Sequence, residues 1–128
     1  MIPDWPPGTV AVLTTAGPHA IPVSTALPAG PTSVLLALGP NRGSLARLRA
    51  DPRCALAVLA EGVAITLRGR ATEVGEAAGT VAVRLEVEAV DDHDQPTFAI
   101  EAGVRWRWTD DEAERRDAEV RAALRQLA

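Results

Sequence analysis

Lysine and tyrosine are absent from this 128-residue chain, phenylalanine and cysteine occur once each, and histidine occurs twice. Each shortage excludes something. The single cysteine, Cys54, permits no intramolecular disulfide and no cysteine-built metal cluster. Flanked by Arg53, Ala55 and Leu56, it reads as a small buried hydrophobe. With no tyrosine and Phe98 as the one phenylalanine, the stacking platforms of a single-strand nucleic-acid binder are missing. A net charge of −4 leaves few basic groups to release counterions, so nucleic acid is not an expected partner. No apolar run approaches the roughly 18 residues of a membrane span. The opening MIPDWPPGTV has no basic stretch leading into a long apolar one, so no signal peptide is expected. A cytoplasmic protein without a membrane partner follows as the expectation. The run Asp91-Asp92-His93-Asp94 offers oxygen and imidazole donors without a known loop spacing, and no metal site is expected there.

What remains is a globular composition: 47% hydrophobic and 23% charged residues in a one-domain length, residues 1–128. Strand patterns dominate. Thr9–Thr15 is β-branched and apolar and ends in the Ala16-Gly17-Pro18 turn. His19–Leu27 predicts a second strand, placed at an edge or bulge by Pro22, and Ser33–Leu38 a third. The pattern then changes: Leu45 and Leu48 share a helical face between Gly43 and Ala50, and Asp51-Pro52 stops the run. Cys54–Ala60, Val63–Val74 and Val81–Val90 predict three more strands. In the last of them Val81, Val83, Leu85 and Val87 alternate with Arg84, Glu86 and Glu88. Phe98, Ile100, Ala102, Val104, Trp106 and Trp108 share one parity, which predicts a seventh strand to Trp108, bent at Gly103. Thr109–Glu112 reads as a capping box opening a helix to about Leu127, with Ala113, Val120, Leu124 and Leu127 as its apolar stripe. Seven short strands and two helices predict an all-β, antiparallel Greek-key barrel over about residues 8–108, followed by a helix over about 110–127. Arg68 and Arg70, on the outward face, are expected to pair with Glu86 and Glu88. The terminal stripe, the Thr9–Thr15 strand and the tryptophan pair exceed what one small barrel buries, so a homodimer is expected.

Charge is unevenly placed. Before Glu61 the only acids are Asp4 and Asp51, against Arg42, Arg47, Arg49 and Arg53. The segment Gly39–Arg53 therefore carries a basic island where a helix begins. Asn41, Arg42 and Ser44 stand where free N–H groups and the helix dipole favour an anion, with phosphate the common ligand. The alternative is that Asn41 or Ser44 only caps the helix.

The order strand, HAIPVS strand, SVLLAL strand, NRGSLARLRADPR helix, CALAVLA strand, ITLRGRATEV strand and closing FAIEAGVRWRW resembles the pyridoxamine 5′-phosphate oxidase-like family of split β-barrels. That resemblance covers roughly residues 8–108. It implies FMN, or the deazaflavin F420, bound between two subunits, and oxidoreductase chemistry on a small-molecule substrate. By the same resemblance His19, Ile21, Pro22, Val23 and Ser24 lie along the cofactor ring, and Asn41, Arg42 and Ser44 meet its phosphate. Many members have a lysine at Ser44; without it the charged contact falls to Arg42 as the main group, with Arg47 or Arg49 as the alternatives beside it. Trp106 and Trp108 belong either to the barrel core or to the subunit interface near the partner's cofactor. No catalytic residue is singled out; His19 has no carboxylate nearby in sequence to tune it. The alternative function is a non-catalytic barrel dimer that binds flavin without turnover or has lost the site.

Overall fold

The computed structural model describes residues 2–128. Seven strands form one antiparallel sheet: β1 (Ala11–Thr15), β2 (His19–Val23), β3 (Leu27–Pro28), β4 (Ser33–Leu38), β5 (Arg53–Ala60), β6 (Val63–Ala77) and β7 (Thr80–Asp92). Helix α1 (Gly43–Ala50) sits between β4 and β5, and α2 (Asp111–Leu127) ends the chain. The spatial order is β2-β1-β5-β6-β7-β4-β3.

The two outermost strands are consecutive in sequence. The expected single strand His19–Leu27 is broken at Ser24–Ala26, and its halves pair with opposite ends of the sheet, β2 with β1 and β3 with β4. The kink thus draws the curled sheet's two edges together. Thr25 holds it there by imitating a ladder: its Oγ1 accepts from the Ala37 N–H at 3.2 Å and donates to the Ala37 carbonyl at 3.5 Å. Pro22 fits because it lies on an edge strand, where a missing N–H costs no ladder bond.

Inward residues of β1, β4, β5, β6 and β7 build the main core, among them Leu13, Val34, Leu36, Leu56, Val58, Leu67, Val83 and Leu85. Leu45 and Leu48 of α1 and Ile2 and Trp5 of the N-terminal segment complete it. Trp5 is buried at 6% exposure, and its Nε1–H donates to the Ala26 carbonyl at 3.1 Å. The continuous run SVLLAL is buried on both faces of β4: Leu36 joins the barrel interior, while Leu35 packs outward with Ala77, Ala82, Val120 and Leu124 beneath α2. The predicted helical stripe is therefore covered by the chain's own sheet and leaves little for a partner. α2 starts one residue later than the expected box. Asp110 is its N-cap, accepting from the Glu112 N–H at 3.0 Å, and three acids in the first turn meet the positive helix end. Arg84 donates to the Leu127 carbonyl at the other end.

β6 and β7 run longer than the pattern indicated because a two-residue turn joins them. Ala78 and Gly79, at φ 50° and 86°, give it the left-handed geometry that matches strand twist.

The predicted strand Phe98–Trp108 is not one. These residues form an irregular strap against the end of the β5–β6 hairpin, where the Gly62 N–H donates to the Ile100 carbonyl at 3.0 Å. β5 already has β1 and β6 on its two sides, so no free ladder meets the strap. Its alternating apolar residues are largely exposed: Phe98 47%, Val104 64% and Trp106 39%. The barrel-core reading of Trp106 and Trp108 is overturned accordingly. Trp106 donates from Nε1 to the Gly8 carbonyl at 2.8 Å and meets Trp108 edge to face at 5.2 Å.

Candidate functional site

The kink after β2 and the turn before α1 lie side by side. Together they form a cleft of about 170 Å³ lined by Ile21–Thr25, Ala37–Gly39 and Arg42. Gly39 lets the arginine fold over it. A Cβ there would stand 3.1 Å from the Arg42 Cγ, so a side chain at 39 would crowd the arginine and make it give by a few tenths of an ångström. Arg42 is the N-cap of α1, with extended backbone and no side-chain capping bond. The capping alternative for Asn41 and Ser44 therefore fails, and the helix's first turn has no side-chain acceptor.

Of the residues singled out from the sequence, Ile21, Pro22, Val23, Ser24 and Arg42 come together in this cleft. His19 stands at the far end of β2 and Asn41 is exposed on the turn; neither lines it. Ser44 faces inward at 1% exposure, and its Oγ is buried without a hydrogen-bond partner. It is not the surface position its spacing indicated, and a lysine placed there would have to enter the core beside Leu45. Trp106 lines a different hollow, with Pro6–Thr9 and Glu101–Arg105.

The basic island is partly neutralised. Arg49 makes a bidentate contact with Glu73 at 2.7 and 3.0 Å, which holds the Glu73 carboxyl below its ordinary range. Arg53 does the same to Asp51, lowering it to about 2. Among the described residues Arg42 and Arg47 have no ion-pair partner, and of these only Arg42 lines the cleft. On the sheet's outer face Arg68 pairs with Asp91 and not with Glu86, while Arg70 reaches Glu88 at 3.8 Å. The reason lies in register: Arg68 sits across from Ala89, beyond the point where the β6–β7 ladder slips.

A wider hollow, of about 510 Å³, also lies on that outer face, beside Thr14, Ala55, Arg68 and Ala89. Cys54 lines it but packs against the core, and burial pushes its thiol up to about 11, away from nucleophilic use near neutrality. His93 is exposed and shares a 2.8 Å hydrogen bond with the Thr66 hydroxyl. Among the described residues no group of three or more His, Cys, Asp or Glu side chains is placed to hold a metal, and no helix is long and apolar enough to cross a membrane.

Sequence comparison with family models and with curated proteins gives no match. Structural comparison does. A Listeria innocua protein provisionally assigned as a pyridoxamine 5′-phosphate oxidase superposes with a TM-score of 0.58 at 15% identity, over 68% of this chain and 90% of its own. An F420 reductase gives 0.58 at 13%, over 66% and 90%. BorF, the flavin reductase component of a bacterial two-component tryptophan halogenase, gives 0.60 at 13%, over 69% and 81%. The chain thus has the split-barrel fold of the pyridoxamine 5′-phosphate oxidase-like proteins, the fold its sequence resemblance implied.

Proposed function

We propose that the protein binds a flavin or deazaflavin, FMN or F420, between two copies of the chain, and that it acts as an oxidoreductase on a small molecule. The observation that carries this reading is the cleft itself: the edge strand Ile21–Val23, with its outer backbone edge free, ending beside an uncapped helix start with an unpaired arginine. A flat ring suits the first part and a phosphate the second. Structural relatives named as an F420 reductase and a flavin reductase support the same direction.

The residues fit one side of such a cofactor. Ile21, Pro22 and Val23 would lie against the ring, the Ser24 hydroxyl would face its polar edge, and Arg42 would hold the phosphate. The bound ring would supply hydride transfer. The cleft's lining has no carboxylate, imidazole or thiol, so this wall's task is to bind, orient and exclude water.

Its volume also argues for a second copy. About 170 Å³ falls below the roughly 300–1,000 Å³ of pockets that enclose a ligand of cofactor size. One protomer offers one wall, and a partner would supply the other. Val12 and Leu59, on the outer face of β1 and β5, are 39% and 51% exposed, and with Phe98, Val104 and Trp106 they leave apolar surface for it to cover. Sedimentation should therefore give about twice 13.4 kDa at micromolar concentration. A clean monomer would remove the second wall and with it the proposed mode of binding.

The cofactor is tested by the visible spectrum and by titration with FMN and F420. Arg42→Ala should weaken binding by about 1.5–3 kcal/mol, the worth of a charge-assisted hydrogen bond, or roughly 10- to 150-fold. Its melting temperature should stay close to the parent's, because Arg42 is exposed and caps nothing with its side chain. Parent-like affinity in that variant defeats the phosphate assignment. The competing reading, a non-catalytic dimer, draws on the absence of acid–base groups in the cleft. It predicts saturable binding without turnover, or no binding at all.

A further inference from the structure

Behind the kink lies a second cleft, of about 200 Å³, bounded by the N-terminal segment, residues Ser24–Pro28 and the last turns of α2. We propose that it is a binding site for a small carboxylate with an apolar body, gripped by Arg121 and Arg125.

The argument begins on the helix. Asp117, Arg121 and Arg125 follow one another at four-residue spacing and so share a face of α2. Arg121 donates from Nε to Asp117 Oδ2 at 2.6 Å, and the two side chains are only 16% and 13% exposed. This contact uses one edge of the guanidinium. Its two terminal nitrogens reach over Gly8, 3.4 and 3.5 Å from where a Cβ would stand, and have no hydrogen-bond partner among the described residues. Arg125 has none either and lines the same cleft. Two like charges at this spacing repel unless something negative lies between them. The Arg121 side chain is largely covered, yet its two terminal nitrogens have no protein acceptor, so they are free to donate in parallel to an anion entering the cleft.

The walls set the rest of the ligand. Trp5, Pro7, Leu27 and Pro28 are apolar, and the volume suits a benzoate-sized molecule. A planar carboxylate matches the guanidinium fork in two parallel hydrogen bonds. Charge balance favours a single negative charge: Asp4 lies in the lining and Asp117 is spent on Arg121, so little positive charge is left to hold a dianion.

This site does not depend on the flavin reading, although Ser24 and Thr25 line both clefts and would bring the carboxylate within reach of a ring held on the other side. The test uses the whole protein without added flavin and isothermal titration with benzoate, with benzamide as the neutral control. Benzoate should saturate with a dissociation constant below about 10 mM, and benzamide should bind at least about tenfold more weakly. Arg125→Gln should weaken benzoate by about five- to tenfold, and Arg121→Gln by at least as much. Arg47→Gln, which removes the same charge elsewhere on the surface, should leave it unchanged. Should Arg121→Gln fail to fold for want of its Asp117 contact, Arg125→Gln decides alone, since Arg125 has no partner to lose. Unsaturable benzoate, equal binding of benzamide, or parent-like affinity in Arg125→Gln overturns the proposal. FMN titration of the same variants is read separately, so either site can fail without the other.

Discussion

Trp5→Ala is expected to lower stability by about 3–5 kcal/mol, the loss typical of emptying a buried tryptophan site. For a chain of this size that corresponds to a fall in Tm of roughly 12–20 °C. The position looks unpromising in sequence: fifth from the start, between Asp4 and Pro6-Pro7. Its structural setting is the opposite. The indole is in the main core with Ile2, and its N–H reaches the Ala26 carbonyl within the kink that joins the two sheet edges. Removing it opens a cavity and also leaves a backbone acceptor at the kink without its donor. Trp5→Phe separates these effects. It keeps most of the ring and loses the hydrogen bond, so it should cost nearer 1 kcal/mol for the bond plus a smaller packing loss. Because Ser24 and Thr25, the two residues before Ala26, line the proposed cofactor cleft, Trp5→Ala should also disturb any ligand held there, while Arg42→Ala should disturb the ligand alone. Thermal melts followed by circular dichroism give the comparison. A Trp5→Ala protein melting within about 2 °C of the parent would show that the N-terminal segment does not plug the barrel.

How much of this was legible in the sequence depends on the kind of signal. Strands with one buried and one exposed face announce themselves by alternation, and β7 does so through Val81, Val83 and Leu85 against Arg84 and Glu86. α1 is legible from Leu45 and Leu48 and its Asp51-Pro52 stop. The strap 98–108 misleads because its alternation has the right period but no ladder to join; pairing is a property of neighbours, and β5 has both sides taken. The break at Ser24–Ala26 is hidden for the converse reason, since HAIPVSTAL has a strand's composition throughout while its two halves serve opposite ends of the sheet. In the site, Arg42 and the Ile21–Ser24 edge come from local order along the chain. The burial of Ser44 is not legible because a polar residue in a first helical turn is ordinarily exposed, and here the turn is rolled so that its hydroxyl faces the core. The Arg121–Arg125 cleft carried no local signal: on helical spacing alone both arginines belong to a solvated face, and only the fold brings Trp5 and Pro28 opposite them.

Gly69→Ala is expected to cost roughly 3 kcal/mol or more, the upper end of what overpacking does, because the obstruction is main chain and cannot rotate away. A Cβ on Gly69 would stand 1.9 Å from the Glu86 carbonyl oxygen, 2.8 Å from its carbon and 3.1 Å from the Val87 Cα. The crowding comes from the register slip in which Arg68 faces Ala89 but Gly69 faces Val87, leaving Glu88 as the extra residue of a bulge. The bulge separates two demands on the same hairpin. On one side of it Ala71 and Leu85 face each other in the core, and on the other Arg68 meets Asp91 on the surface. A strand that slips by one residue to relieve the clash would turn Leu85 outward or break the Arg68 pair, so the protein has no inexpensive way to adapt. Gly17→Ala is the control: a turn glycine with open space around its Cβ position, where only the positive φ opposes a side chain and the cost is about 1 kcal/mol. Denaturant unfolding of both variants should place the Gly69 loss well above the Gly17 loss. Equal or reversed losses would mean that the β6–β7 ladder can shift around position 69, and that the bulge is not what holds this hairpin in register.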